Sequence, residues 1–265
     1  MKRLIGIAVL IILVIVGFYS FNNYIYRQKQ APANMNNSIS PTNAEQTFNV
    51  TPISHATMVL TLGGKTIYTD PVGGGKVFAG QPEPDLILIT DIHSDHLDNP
   101  TLKEIVKEKT VIVVPQAVAD KIPEFKNQLI VIKNGEKTNQ MGIDIEAIPM
   151  YNLPESKDAF HTKGRGNGYV VAADNKRIYI AGDTDGTPEM RALKNIDVAF
   201  VPMNPPYTMD VEKAADAVVA FKPKVVHPYH YRGPNGLSDI NKFKKLVESK
   251  DPNINVELLN FYPSN

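Results

Sequence analysis

The chain has 265 residues, 28 basic and 28 acidic residues, and no cysteine. Without cysteine there can be no disulfide, thiolate metal site, cysteine nucleophile or cysteine-linked lipid anchor, so any metal ion must be held by nitrogen and oxygen atoms. Zero formal net charge gives no broad electrostatic basis for binding nucleic acid, and no nucleic acid partner is expected.

The amino terminus predicts a membrane segment over residues 1–27. Two basic residues precede an uncharged run from Leu4 to Phe21, which is about long enough to cross a bilayer core of ~30 Å as a helix. Aromatic residues near its end favour an uncleaved anchor, and the positive charge at Lys2, Arg3 and the terminal amine favours placing the following domain outside the cytoplasm. The alternative is a signal peptide cleaved near residues 31–33, which would leave a secreted or periplasmic protein.

Residues 28–47 are polar, rich in Asn, Ser and Pro, and lack apolar periodicity. This composition is typical of a flexible linker. Residues 48–265 follow without a second linker, and their number suits one domain with a substantial core.

Strand and helix patterns alternate along this domain. Because strands dominate and helices are interspersed, the pattern predicts an α/β (α+β) architecture with sheet at the centre. In chain order we predict a hairpin over 57–71, a buried strand over 85–90, a helix over 99–108, strands over 110–115, 128–133 and 141–150, a hairpin over 168–183, a strand over 196–202, a helix over 209–221, a strand over 224–231, a helix over 239–249 and a strand over 255–262.

The segment TDIHSDHLD at 90–98 carries the clearest chemical signal. It follows a buried strand and precedes a helix, where rigid scaffolds display functional groups. Closely spaced carboxylates repel one another, and a bound cation removes that cost. The simplest alternative is a polar turn in which Asp98 caps the helix. The polar residues that converge here are Asp91, His93, Asp95, His96 and Asp98.

Three further candidates lie at the ends of predicted strands. His161 comes just before a strand, while Asp183 and His230 come just after strands. Histidine and aspartate gathered at several strand ends are what a hydrolytic site with two metal ions requires.

The 90–98 segment resembles the HxHxDH motif of the metallo-β-lactamase superfamily, with Asp91 in place of the first histidine. The later family elements follow in order, and the resemblance covers residues from about 48 to the carboxyl terminus. Within the superfamily, His-Ala-Thr at 55–57 and Thr-Asp-Pro at 69–71 are most similar to the branch of ascorbate-phosphate lactonase and N-acyl-phosphatidylethanolamine phospholipase D. The resemblance implies a four-layer αββα sandwich with metals at one edge of the two sheets.

The resemblance also implies two divalent metal ions, with zinc as the first candidate and manganese or iron(II) as alternatives. His227 competes with His230 as the last ligand, and the family's Pro-x-His form favours His230. The implied ligands are Asp91, His93 and His161 for the first ion, Asp95, His96 and His230 for the second, and Asp183 as a bridge between them.

For several other residues the sequence allows two interpretations. His55 is either a buried hydrogen-bonded residue or a support for a ligand, and Asp70 either caps a turn or holds a ligand histidine. Four more could meet an anionic substrate, or could be ordinary surface residues. These four are Arg165, Tyr207, Tyr229 and Arg232.

The implied function is hydrolysis of an ester, lactone or phosphodiester by a metal-bound hydroxide, with Asp95 orienting the hydroxide and carrying its proton. The expected substrate is a small or lipid-like molecule, and no oligomeric state is predicted. The charge of Asp91 predicts a less electrophilic pair of ions, and hence a more alkaline pH optimum or a weaker first metal. The alternative function is a non-catalytic, metal-bound binding or sensor module on the membrane.

Overall fold

The structure is a computed structural model, and it describes residues 48–263. Short 3-10 turns at Gly75–Phe78 and Pro123–Phe125 supplement the regular elements. The helices are α1 (Asn99–Ile105), α2 (Gln116–Ala119), α3 (Pro188–Arg191), α4 (Val211–Phe221) and α5 (Ile240–Lys250). The strands are β1 (Asn49–Ser54), β2 (Thr57–Leu62), β3 (Lys65–Thr69), β4 (Leu86–Leu88), β5 (Val111–Val114), β6 (Leu129–Val131), β7 (Lys137–Gln140), β8 (Ile143–Met150), β9 (Gly166–Ala173), β10 (Lys176–Ile180), β11 (Val198–Pro202), β12 (Val225–Tyr229), β13 (Arg232–Gly233), β14 (Gly236–Leu237) and β15 (Asn255–Val256).

The strands form two mixed sheets and one small ribbon. The first sheet has the order β1-β2-β3-β4-β5-β6, antiparallel up to β3 and parallel from β3 to β6. The second has the order β15-β12-β11-β10-β9-β8-β7, antiparallel from β7 to β10 and parallel from β10 to β15. Strands β13 and β14 pair separately.

Alternating side chains give the first sheet two buried faces. Met58 and Leu60 pack into a core shared with residues of the second sheet, such as Ile145 and Ile178. The intervening Val59 points the other way, into a cluster with side chains of α1 and α2. Helices α4 and α5 also contribute buried side chains to this core, on the side of the second sheet. The α/β prediction is confirmed, and the packing gives four layers in the order helix, sheet, sheet, helix.

The predicted elements are confirmed where their patterns were long. The hairpin β2–β3 turns through Gly63 and Gly64, both at positive φ, and the hairpin β9–β10 turns through Asp174 and Asn175, also at positive φ. Two expectations were wrong. The last strand covers only Asn255–Val256 instead of 255–262, and α1 ends at Ile105. Strands β1 and β7 and helix α2 were not predicted, because their sequences are short or polar.

The predicted membrane segment at 1–27 and linker at 28–47 lie outside the described residues. Among residues 48–263, no helix has the length and apolar character needed to cross a bilayer.

Candidate metal centre

The predicted ligands lie at one edge of the two sheets. Asp183 and His230 follow the parallel strands β10 and β12, whose carboxyl ends face the same way. His161 precedes β9, which runs antiparallel to β10 and therefore begins at that edge. The loop after β4 brings in the residues from Asp91 to His96 from the first sheet. The site is thus assembled from strand ends, where a rigid scaffold fixes the side chains.

Six of the seven predicted ligands form two compact groups, and within each the potential ligand atoms lie within 4.8 Å of one another. The loop after β4 contributes to both groups because it turns tightly, with the backbone N–H groups of His96 and Leu97 donating to the His93 carbonyl at 3.0 and 2.8 Å. We call the two sets the first ligand group (Asp91, His93 and His161) and the second ligand group (Asp95, His96 and His230).

Asp183 lies between the two ligand groups. Its Oδ2 atom is 3.3 Å from His161 Nε2 and 3.4 Å from His96 Nε2. Its Oδ1 atom is 3.5 Å from His230 Nε2. The carboxylate therefore faces ligand atoms of both groups at once, which is the placement that a bridging ligand requires.

The donor atoms at this edge are buried without hydrogen-bond partners. They are Nε2 of His96 and His161, both ring nitrogens of His230, and Oδ1 of Asp183. Buried polar atoms in folded proteins are ordinarily hydrogen-bonded, so this concentration of unpaired atoms is unusual. Neutral imidazole nitrogens and carboxylate oxygens are common zinc ligands, and the residues present fit divalent metal ions.

Hydrogen bonds on the far side of two imidazoles orient their Nε2 atoms. Asp70 Oδ2 lies 2.8 Å from His96 Nδ1, and the same carboxylate accepts bonds from the backbone N–H and the hydroxyl of Thr90 at 2.7 and 2.6 Å. Asn152 Oδ1 lies 3.2 Å from His161 Nδ1. A proton on each Nδ1 leaves Nε2 as the lone-pair donor, which is how ligating histidines are usually fixed. Of the two predicted readings for Asp70, the geometry supports the one in which it holds a histidine.

His230 is held in a conformation that favours glycine. Its φ is +46°, and its backbone N–H donates to the His55 carbonyl at 3.1 Å. The His55 ring meets the His230 ring edge-on at 5.6 Å. Since a non-glycine residue at positive φ is costly, the bond to His55 stabilises the turn that brings His230 into the second ligand group. His55 itself belongs to neither group.

The concentration of imidazoles keeps the central carboxylates ionised. Burial by itself would raise the pKa of Asp183, but the neighbouring His230 and His96 lower that pKa well below its usual range. The same balance lowers the pKa of Asp95 far below the ordinary aspartate value. For His96, burial opposes protonation, yet Asp183 and Asp70 raise its pKa well above the ordinary value. Protons and metal ions therefore compete for this histidine.

Asp91 is paired with an arginine, which the sequence did not indicate. Its carboxylate is fully buried and accepts two hydrogen bonds from Arg165, from Nε to Oδ1 at 3.1 Å and from Nη2 to Oδ2 at 2.9 Å. Neither predicted reading of Arg165, as a substrate contact or as an ordinary surface residue, describes this position. The charge that Asp91 adds to the site is therefore opposed by a neighbouring guanidinium.

Two further candidates lie away from the ligand groups. The ring of His227 stacks on Phe200 with centroids 5.0 Å apart, and its Nδ1 lies 3.0 Å from the Glu257 carbonyl. Asp98 occupies the position before α1, but its carboxylate accepts from the Thr101 hydroxyl and makes no side-chain bond to the backbone of that helix. The expected backbone cap by Asp98 was therefore wrong.

A cavity of about 450 Å³ opens over the site. Phe160, 51% exposed, meets Tyr207 edge-on at 4.9 Å at the cavity wall. Buried Asn204 also lines the cavity, and its side-chain carbonyl accepts from the Thr208 hydroxyl, which leaves its amide N–H group available to a ligand. Sequence reasoning did not single out Phe160, Asn204 or Asn152, although the first adjoins His161 and the second opens the NPPYTM segment.

Tyr229 and Arg232 do not contact this cavity. The Tyr229 hydroxyl is buried and accepts from the Gly182 N–H at 2.8 Å, so it fixes the turn before Asp183. Arg232 lies over the Tyr262 ring at 4.2 Å. Tyr229 is fully buried, so its reading as a surface residue was wrong, whereas Tyr207 does line the cavity.

Comparisons with known proteins agree with this geometry. A family model described as a β-lactamase superfamily domain matches residues 49–230. The chain is 36% identical over 200 residues to a UPF0173 metal-dependent hydrolase of Pyrococcus abyssi. This alignment covers 71% of the chain and 87% of the relative. A crystal structure of a protein described as a metal-dependent hydrolase from Parabacteroides distasonis is 37% identical, with a TM-score of 0.71 over 80% of this chain and 92% of the other. The structure of Igni18, a metallo hydrolase from Ignicoccus hospitalis, is 25% identical in sequence and has a TM-score of 0.68. The match covers 80% of this chain and 94% of Igni18.

Proposed function

The chain belongs to the β-lactamase superfamily and, within it, to the UPF0173 metal-dependent hydrolases, and from this premise we propose that it hydrolyses a neutral ester or lactone at a centre of two metal ions. The observation that carries the proposal is the convergence of unpaired, buried Nε2 and carboxylate atoms on one point at the sheet edge. The proposed ligands are the two ligand groups and the bridging Asp183, with zinc as the first candidate metal.

The metal ions, when bound, supply a nucleophile at neutral pH and polarise the scissile group. Asp95 is suited to handle the proton, because its side chain lines the cavity and is 44% exposed. One oxygen can accept a hydrogen bond from the attacking water and pass that proton to the leaving group. The Asn204 amide can donate to the oxygen on which negative charge develops.

The cavity lining favours a neutral carbonyl substrate over a phosphodiester. No lysine or arginine is among the described residues that line it. The nearby Arg165 is engaged by Asp91 and by the Phe160 carbonyl, so the negative charge of a phosphodiester would find no free side-chain cation in this lining. Phe160 and Tyr207 offer an apolar surface to an acyl or alkyl chain.

The proposal includes a membrane tether. Its support is the uncharged run from Leu4 to Phe21 behind two basic residues. Such an anchor would hold the domain outside the cytoplasm and near lipid-like substrates. Retention of the full-length chain in carbonate-washed membranes, together with an intact amino terminus by mass spectrometry, is the expected result. A shortened chain in the soluble fraction would instead indicate a cleaved signal peptide.

The reaction class is tested with the purified, zinc-loaded full-length chain. We expect kcat/KM for p-nitrophenyl butyrate and an alkyl γ-lactone to exceed that for bis-p-nitrophenyl phosphate at least about tenfold. A chelator should abolish turnover and added zinc should restore it. Faster hydrolysis of the phosphodiester would show that the proposed substrate class is wrong, and turnover that persists without metal would overturn the metal centre itself.

A further inference from the structure

We propose that Asp91 and Arg165 act as one unit that takes the place of a neutral imidazole in the first ligand group. In this unit Arg165 is a positioning residue, which cancels the charge of Asp91 and holds its carboxylate in one orientation. The inference rests on the metal-binding function proposed above. It explains how the site tolerates a carboxylate where the related motif has histidine.

The two oxygens of Asp91 have different surroundings. Oδ2 faces the other members of its group, 2.8 Å from His93 Nδ1 and 3.7 Å from His161 Nε2. Such spacings suit ligands that share one ion at about 2.0–2.2 Å. Arg165 bonds both oxygens, from Nε to Oδ1 at 3.1 Å and from Nη2 to Oδ2 at 2.9 Å. The two bonds fix the plane of the carboxylate, with Oδ2 toward the other members of the group.

The backbone around Arg165 is built to hold this pair. The Arg165 Nη2 atom also donates to the Phe160 carbonyl at 2.7 Å, and its backbone N–H donates to the Thr162 carbonyl at 3.2 Å. At the next residue, Gly166, a Cβ atom would lie 2.8 Å from the Thr90 carbonyl oxygen and 3.4 Å from Asp91 Oδ1. Only glycine permits the strand to approach the Thr90 backbone this closely, and this approach brings Arg165 beside Asp91.

The charges of the pair cancel. A buried carboxylate and a guanidinium joined by two hydrogen bonds contribute no net charge, as a neutral imidazole would contribute none. Arg165 thus removes the reason for expecting a less electrophilic pair of ions and a more alkaline pH optimum. The side chain of Arg165 is 20% exposed, and its charge is therefore only partly screened by solvent.

The test is a double-mutant cycle on the full-length chain, with zinc content and zinc affinity as readouts. Asp91→His alone leaves a guanidinium without its carboxylate beside the first ion. We expect it to weaken binding of that ion at least about tenfold, since breaking a buried ion pair is costly. Adding Arg165→Met to Asp91→His should restore the affinity to within about threefold of the natural protein, because the site is then neutral again. Arg165→Met by itself should keep two ions per chain.

Two results would overturn the inference. One is that Asp91→His binds the first ion as tightly as the natural protein, and the other is that the double variant binds it no better than Asp91→His. If Asp91→His does not fold, Asp91→Asn with and without Arg165→Met provides the same comparison at nearly constant volume. Absence of metal from the natural protein after zinc loading would instead count against the proposed function, which keeps the two failures distinguishable.

Discussion

The first and second ligand groups differ in how their members are held. In the second, His96 is fully buried and its far nitrogen meets the Asp70 carboxylate at 2.8 Å. In the first, His161 meets an uncharged amide, that of Asn152, at 3.2 Å, and the side chain of His93 is 40% exposed. The carboxylate of the first group is further restrained by an arginine, which cancels its negative charge.

This difference predicts that the two ligand groups would hold metal ions unequally. A carboxylate behind a ligating imidazole makes that ligand more basic, whereas an amide orients it without adding charge. Exposure of His93 also admits water to the first group. We therefore expect the second ligand group to bind its ion more tightly and the first to release its ion earlier during chelation.

The largest effect should follow from Asp183→Asn, which removes the charge shared by both groups. The variant keeps the shape of the side chain but loses the anionic bridge, so it should lose both ions and reduce kcat/KM at least about 10³-fold. Elemental analysis and ester hydrolysis provide the measurement. Retention of two ions per chain would show that Asp183 is not a bridging ligand.

A smaller and asymmetric effect should separate the groups directly. His230→Gln removes a buried donor of the second group, and His93→Gln removes the exposed donor of the first. We expect His230→Gln to leave less than one ion per chain, because the tighter site is lost, and His93→Gln to leave about one. If the two variants retain the same number of ions with the same affinity, the proposed inequality is wrong.

Changing the supporting residues should sharpen the comparison without removing a ligand. Asp70→Asn should weaken the second ion about 10- to 100-fold, the range found when outer partners of ligating histidines are replaced. Asn152→Ala is the matched change behind His161 and should weaken the first ion by less, since no charge is lost. Competition titrations with a chromophoric chelator measure both. A larger loss in Asn152→Ala would reverse the interpretation.

The smallest effect is expected at His227, the histidine outside both groups. His227→Phe keeps the stacking on Phe200 but loses the hydrogen bond to Glu257, which should cost about 1 kcal/mol of unfolding free energy at pH 8. It should leave zinc content unchanged, and loss of an ion would place His227 in the centre after all.

The pH dependence of that variant has a definite sign. Burial lowers the pKa of His227, so the unfolded chain takes up the proton more readily than the folded one. The stability linked to neutral His227 is therefore present above its unfolded pKa of about 6.5 and is lost as the pH falls through that value. Between pH 7.5 and 5.5, His227→Phe should lose less unfolding free energy than the natural protein, as measured by denaturant unfolding.

Much of the fold and the location of the candidate site could be predicted from sequence. The hairpins at Gly63 and Asn175 were predicted because turn residues lie between alternating strands. Histidine and aspartate residues at the ends of buried strands indicated that the metal site would lie at one edge of the sheets. Short strands such as β7 were missed, because KTNQ has no apolar face and pairs only through its neighbour β8. The residue pattern within such a short segment does not show which other strand it pairs with.

The sequence by itself determined the kinds of donor atoms available and the strand ends that carry them, since both follow from residue type and local periodicity. Only the tertiary structure decided which charges meet. Asp91 and Arg165 lie far apart in the chain, and no local pattern joins them. Their contact depends on two sheets packed face to face and on a glycine at 166 that lets the strand approach. A contact of this kind arises from packing between segments that are distant in sequence. The net charge at the first ligand group therefore follows only from the tertiary structure.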